Sequence, residues 1–213
     1  MEESSWAEID QIGQLGLADD YWSIGDKKDI TANNETVTVE ILGFNHDRLS
    51  NGGNANYTFG LKNLMSDLRK INSVGMDPYV YSQSDIYAWL KTDLYSSLPE
   101  DLQAVIKTVE KRTGGNHSLP DIADDLKIFL FSEIEVFGTA SRSANGEGTR
   151  YSRFASSDSR IKKQANGAGN AAWWGLRSPD DDFSYAVLYV TDSGQLSSDG
   201  PNISVGVCFG FCV

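Results

Sequence analysis

Regular patterning begins at Thr36-Val37-Thr38-Val39-Glu40-Ile41, where polar and apolar residues alternate. A period of two places Val37, Val39 and Ile41 on one face of a half-buried strand. The period then lengthens. Leu61, Leu64, Met65, Leu68 and Ile71 recur at helical spacing, which predicts a helix stopped by Gly75. A second helix is predicted from Ile86, Trp89, Leu90 and Leu94, with Ser84 as its cap. A third starts near Pro99 and aligns Leu102, Val105, Ile106 and Val109. Lys107, Lys111 and Arg112 then fall in its last turn, where the helix dipole favours cations, and Gly114-Gly115 ends it.

The second half changes character. Ile128-Phe129-Leu130-Phe131 reads as a short buried strand, and Glu133 and Glu135 follow at strand parity, on one face. From Ser141 to Gly169 the chain is rich in Ser, Gly and Asn, anchored by Ile161 and a few aromatics. So long an irregular stretch in a compact domain is more often a functional loop than a linker. After Trp173-Trp174, the run Tyr185 to Thr191 reads as a strand, and Asp192-Ser193-Gly194 turns it into a hairpin around Gln195. A closing strand alternates Val205, Val207, Phe209, Phe211 and Val213 with Ser204, Gly206, Cys208, Gly210 and Cys212. The second set is small, so another element can approach closely on that face. A strand reaching the last residue ties the terminus into a sheet, and C-terminal tags or truncations are expected to be poorly tolerated. Strands before and after a helical block imply an α+β fold whose ends meet in one sheet.

Composition narrows the function classes. A length of 213 residues suits one domain with elaborations, and 40% hydrophobic content with five Trp, nine Tyr and nine Phe supplies a packed core. The net charge of −12 repels phosphate backbones and anionic membranes, so nucleic-acid binding is set aside. No apolar run approaches the roughly 18 residues that span a bilayer, which argues against membrane insertion. The start, Met1-Glu2-Glu3-Ser4-Ser5-Trp6, lacks a basic region followed by an apolar one, so synthesis in the cytoplasm without a signal peptide is expected.

Few residues suggest chemistry. His46-Asp47 offers an imidazole beside a carboxylate, but neighbours on a strand point to opposite faces and would not pair there. Cys208 and Cys212, four apart in an extended strand, would lie about 13 Å apart, beyond the ~7 Å Cα separation of a disulfide. With His46 and His117 they are the only soft donors for a zinc site, and buried packing is the better reading of both thiols. Asp180-Asp181-Asp182 and Asp199-Gly200-Pro201-Asn202 are rich in oxygen, as calcium requires, but match no EF-hand loop; no cofactor is expected, calcium being compatible with these loops but not indicated by them. Trp173, Trp174, Arg177, Tyr185 and Tyr189 are residue types that dominate binding hot spots. Trp173 and Trp174 point opposite ways if extended, one into the core and one outward, and Tyr185 and Tyr189 share a strand face.

Six segments occur in an order that resembles a known family. They are Tyr21-Trp22-Ser23-Ile24-Gly25-Asp26-Lys27-Lys28, Gly43-Phe44-Asn45-His46-Asp47, Glu135-Val136-Phe137-Gly138, Arg160-Ile161-Lys162-Lys163, Trp173-Trp174 with Arg177-Ser178-Pro179, and Gly206 with Phe211-Cys212-Val213. Together they resemble the domain of unknown function 6273 family, common in prophages and surface-associated proteins of Gram-positive gut bacteria. The C-terminal pattern is also similar to the C-type-lectin-like fold, which in phage relatives displays a binding surface at the end of a tail fibre. Here Gly175-Leu176 puts two residues where the family commonly has one between the Trp pair and Arg-Ser-Pro, and Val207-Cys208-Phe209-Gly210 lacks the usual proline.

The resemblance implies an N-terminal segment, 1–17, and a single lectin-like domain, 18–213, of mixed antiparallel sheets with two or three flanking helices and long irregular loops. It implies a non-enzymatic receptor-binding domain of a phage or prophage virion, tail-associated and open to retroelement diversification, found on the virion or cell surface. Trp174, Arg177, Asp181, Phe183, Tyr185, Tyr189 and Asn202 would contact the ligand. The partners would be a host cell-surface protein or glycan and other virion proteins, with a homo-oligomer compatible. Two alternatives stand beside it: an enzyme, either a glycan hydrolase or a metal-dependent oxidase using Cys208, Cys212 and His46, or a structural tail or baseplate protein.

Overall fold

The strand expected at Val37, Val39 and Ile41 is the longest in the molecule among the described residues, Glu35–Phe44. A computed structural model describes residues 1–115 and 121–213. The helices are α1 (Trp6–Gln14), α2 (Ala18–Tyr21), α3 (Asp85–Trp89), α4 (Tyr95–Ser97), α5 (Glu100–Val105), α6 (Glu133–Phe137) and α7 (Ser157–Arg160), with a π turn over Leu90–Leu94 between α3 and α4. The first strands are β1 (Lys27–Ala32), β2 (Glu35–Phe44), β3 (Tyr57–Leu61) and β4 (Leu68–Lys70). The middle of the chain gives β5 (Val109–Thr113), β6 (Ile122–Leu126) and β7 (Ile128–Leu130). The last five are β8 (Trp174–Pro179), β9 (Val187–Val190), β10 (Leu196–Asp199), β11 (Ser204–Gly206) and β12 (Phe209–Cys212).

The architecture is α+β, with antiparallel sheets and short helices. One sheet has the order β1-β2-β3-β12-β7, so strands from both ends of the chain lie side by side, as the pattern implied. A second has the order β10-β9-β8-β11-β4, with a parallel contact at Gly206 and Trp174, and β5 pairs with β6 alone. Val213 exchanges both backbone bonds with Tyr57 at 3.0 Å, which ties down the last residue. Trp6 of α1 is buried edge-on against Phe59 and Phe211, at 5.2 and 5.8 Å, so the N-terminal helix is part of this core. Among the described residues no helix is long and apolar enough to cross a membrane.

The closing strand is not continuous. β11 belongs to the second sheet and β12 to the first, and the chain crosses between them at Val207-Cys208. Close approach along the small-residue side does occur. A Cβ on Gly206 would lie 2.4 Å from Leu64 Cδ1, and one on Gly210 2.8 Å from Phe129 Cε2. Both faces of this run are buried, so parity alone does not separate inside from outside.

Two predicted helices are corrected. The Leu61–Ile71 segment is the end of β3, an irregular crossing and the edge strand β4. Leu64, Met65 and Ile71 are buried because the segment passes between the two sheets, while Leu68 faces solvent. The third helix begins after Pro99 but stops at Val105, and Val109–Thr113 is β5, with Val109, Lys111 and Thr113 inward. Lys111 therefore does not cap a helix. The second helix forms as expected, with Ser84 Oγ accepting from Tyr87 N at 3.4 Å. The hairpin of β9 and β10 closes over Asp192-Ser193-Gly194, with Thr191 N bonded to Gln195 O at 2.8 Å. The register of β8 against β9 shifts between Gly175 and Pro179, the stretch where the Gly175-Leu176 pair stands.

Candidate functional site

Two regions bring the chemistry-bearing residues together. The first is a cleft of about 210 Å³ whose lining includes His46, Asp47, Lys111, Glu135, Glu147, Thr149 and Arg177. Glu133 and Glu135, expected on a strand, sit in the first turn of α6, where Ser132 and Glu135 form a capping box and Gly138 ends the helix at φ 86°. From α6, Glu135 accepts a two-pronged bond from Arg177 of β8, at 2.6 and 3.1 Å, and one from Lys111 of β5 at 2.8 Å. Lys111 also bonds Asp47 at 2.5 Å and the Tyr151 hydroxyl at 3.0 Å, with its ammonium over the Phe129 ring. Arg177 uses its remaining donors on the carbonyls of Arg112, Leu130 and Glu147.

Burial would raise the carboxyls of Asp47 and Glu135. The cations beside them, Lys111 for Asp47 and Arg177 then Lys111 for Glu135, hold both below their ordinary values instead. Burial would lower the Lys111 ammonium, but Asp47 and Glu135 hold it above its ordinary value. Glu147 differs. Burial pushes its carboxyl up to about 7, outweighing Arg177 and the bonds from Ser178 Oγ and Gly114 N.

His46 and Asp47 do approach one another, because both lie in the loop after β2 and not on a strand. Nδ1 stands 3.6 Å from Asp47 Oδ2, while Nε2 is 3.1 Å from Thr149 Oγ1 and the ring stacks on Tyr151 at 4.2 Å. The order hydroxyl, imidazole, carboxylate has the outline of a nucleophilic triad. Its last link is longer than a hydrogen bond. Asp47 is already engaged by Lys111, Tyr151 and Thr58, so its charge is neutralised within the protein. Cys212 Sγ lies 3.7 Å from Asp47 Oδ2. Burial pushes its thiol well above the ordinary range and Cys208 up to about 11, so neither is poised as a thiolate. Both cysteines are free, and among the described residues no three His, Cys, Asp or Glu side chains converge on a metal position. His117 lies outside the described residues.

The second region is the outer part of the sheet β10-β9-β8-β11-β4. Of the two adjacent tryptophans, Trp174 points inward: it is buried, tilted against Phe154, and donates from Nε1 to Arg160 O at 2.9 Å. Arg177 is also fully buried in the charged cleft. Both are spent on internal partners: Trp174 is corrected from an outward contact to a core residue, and Arg177 lines the charged cleft and not the outer face. The outward residue is Trp173, 43% exposed and stacked on Tyr189 at 5.0 Å and 23°. Tyr189 is buried beneath it, while Tyr185 stands in the turn before β9 at 50% exposure, so these two tyrosines share no face. Phe183, 47% exposed, pairs with Tyr185 at 6.0 Å. Asp181 is half-buried, its backbone N bonded to Arg142 O at 2.6 Å, and Asn202 is exposed in the loop between β10 and β11. Asp180 is buried against Arg142 and caps Asp182 N.

The sequence reading assigned Trp174, and not Trp173, to the ligand face. It also missed Leu68, Asp192 and Ser204, which line a cleft with Trp173. Tryptophan parity was the available signal. The other three meet only through strand pairings distant in sequence.

No curated protein and no solved structure matches the chain. Residues 55–211, from the loop before β3 to the middle of β12, match the family described as Domain of unknown function (DUF6273), and the protein belongs to that family.

Proposed function

We propose that this protein is a non-enzymatic ligand-binding domain of C-type-lectin-like character, presenting the second sheet and its loops to a glycan or protein on a host cell surface. In the setting implied by the family resemblance, it would serve on a phage or prophage virion. The observation that carries the reading is the contrast in side-chain partners. The would-be catalytic groups, Asp47, Lys111, Glu135, Cys208 and Cys212, are buried or paired internally, while Trp173, Phe183 and Tyr185 face solvent on one sheet and its turn. Exposed aromatics give large contact area at little entropic cost.

The test is adsorption of the labelled full chain to Gram-positive cells. Replacing Phe183 and Tyr185 together by alanine should lower adsorption about tenfold or more, since two hot-spot aromatics are removed. Both are about half exposed, so the melting temperature should move by no more than about 2 °C. Unchanged adsorption discards this face as the binding site.

A further inference from the structure

The cleft beside Trp173 is built differently from the charged one. Leu68 of β4, Ala171, Ala172 and Trp173 before β8, Asp192 of the β9–β10 turn and Ser204 of β11 line an open groove of about 270 Å³. That is smaller than the ~300–1,000 Å³ that holds a drug-sized ligand, and suits one small ring. The indole is fixed before any ligand arrives. Tyr189 backs one of its faces, Gly206 N bonds Trp173 O at 2.7 Å, and Ala172 N bonds Lys162 O at 3.1 Å. A platform already ordered loses little entropy on binding.

The rim is polar, and its side chains are unpartnered. Among the described residues the side chains of Asp192 and Ser204 make no hydrogen bond or ion pair, and Lys70 is the cross-strand partner of Ser204. An acceptor and a hydroxyl that both donates and accepts around a flat apolar floor, with Lys70 on the same sheet face beside Ser204, complement a ring with an apolar C–H face and hydroxyls at its edge. The electron-rich indole face attracts such C–H groups. Charged ligands fit less well. Asp192 and the net charge of −12 oppose an anion, and Lys70 opposes a cation. We infer that this cleft is a subsite for a single neutral hexopyranose unit of a glycan. The inference rests on the ligand-binding reading above and names the class of ligand for one part of that face.

The full chain is titrated with methyl β-glucoside, methyl β-galactoside and N-acetylglucosamine, and with glucosamine and glucuronate as charged counterparts, by tryptophan emission and calorimetry. At least one neutral pyranoside should saturate in the millimolar range, as one ring on one platform allows. Trp173→Ala should weaken it about tenfold or more, and Asp192→Asn about threefold, the second from loss of one charged acceptor. Trp173→Phe, which keeps a flat ring, should retain most of the affinity and guards against misfolding of the alanine variant. Tyr21→Ala, at an exposed aromatic on α2, should change nothing.

The inference is overturned if no neutral pyranoside saturates, if glucosamine or glucuronate binds as tightly, or if Trp173→Ala leaves binding intact. If sugars fail while the Phe183 and Tyr185 variant loses cell adsorption, the subsite falls and the binding-domain reading stands. If sugars saturate through Trp173 while adsorption ignores Phe183 and Tyr185, the subsite stands and the receptor face falls.

Discussion

The cleft at Lys111 and the face at Trp173 both hold residue types from which ligand sites are made, and they differ in what those side chains have left to offer. In the cleft, Asp47, Lys111, Glu135 and Arg177 neutralise one another across β5, α6, β8 and the loop after β2. Glu147 and Tyr151 add the long loop of residues 138–169 to the same cluster. A charge taken out of water must find a partner or lose its charge, so these groups are committed to holding that loop on the sheets. At Trp173 the indole and Ser204 are held by backbone pairing, Asp192 stands in the β9–β10 turn, and all three keep their outer surfaces free. Charge density thus marks where this fold is fastened, and unpaired aromatic and polar groups mark the proposed binding face.

Breaking the fastening should have the largest effect. Arg177→Met removes the two-pronged partner of Glu135 and takes one donor each from the carbonyls of Arg112, Leu130 and Glu147. Removing one member of a buried pair costs about 3–5 kcal/mol. Urea unfolding should show a loss of that size, whereas Trp173→Ala should lose no more than about 1 kcal/mol. An Arg177→Met variant as stable as the parent would erase the distinction between the two regions.

The next effect is pH dependence, and its sign follows from Glu147. Its carboxyl is raised from an ordinary 4.5 to about 7, so the folded state holds a proton that the unfolded chain releases earlier. That contribution is fully present below about pH 4.5 and fades as pH rises through 7, up to about 3 kcal/mol in all. Asp47 and Glu135 act oppositely. Their depressed carboxyls stabilise the fold above the ordinary carboxylate range, and the benefit is lost as acid protonates them. Glu147→Gln should therefore flatten the urea midpoint between about pH 5 and 8 while leaving the acid limb in place. Loss of the acid limb instead would place the odd charge elsewhere in the cleft.

How far the sequence carried depended on where the partners lay. β2, the Ser84-capped helix and the hairpin of β9 and β10 were legible because their signals are local: alternation, a cap, a turn. The run of residues 61–71 was misread because Leu61, Leu64, Met65 and Ile71 are buried between two sheets and, with the exposed Leu68, fall at helical spacing without a helix. At Val109–Thr113 the inward residues do alternate, but the middle one is Lys111, whose partners Asp47 and Glu135 are 64 and 24 residues away. No local rule makes a lysine look inward. The candidate face was legible as a region, between the paired tryptophans and the β9 turn. Which tryptophan faces solvent was settled by Phe154, a residue of the irregular loop, packing on Trp174.

The smallest effect should come from the pair that looks most catalytic. Thr149 is exposed and His46 partly so, and their bond at 3.1 Å joins the long loop to the loop after β2. One partly solvated bond is worth about 0.5–1.5 kcal/mol, so Thr149→Val should cost about 1 kcal/mol or less and leave adsorption unchanged. His46→Gln also loses the stack on Tyr151 and should cost slightly more. Activation of Thr149 would require the imidazolium to be held by Asp47, and Lys111 already holds that carboxylate. The wild-type chain incubated with a fluorophosphonate should show no adduct at Thr149 by mass spectrometry. An adduct that disappears in His46→Gln would turn the fastened region into a reactive one, and the comparison between the two regions would reverse.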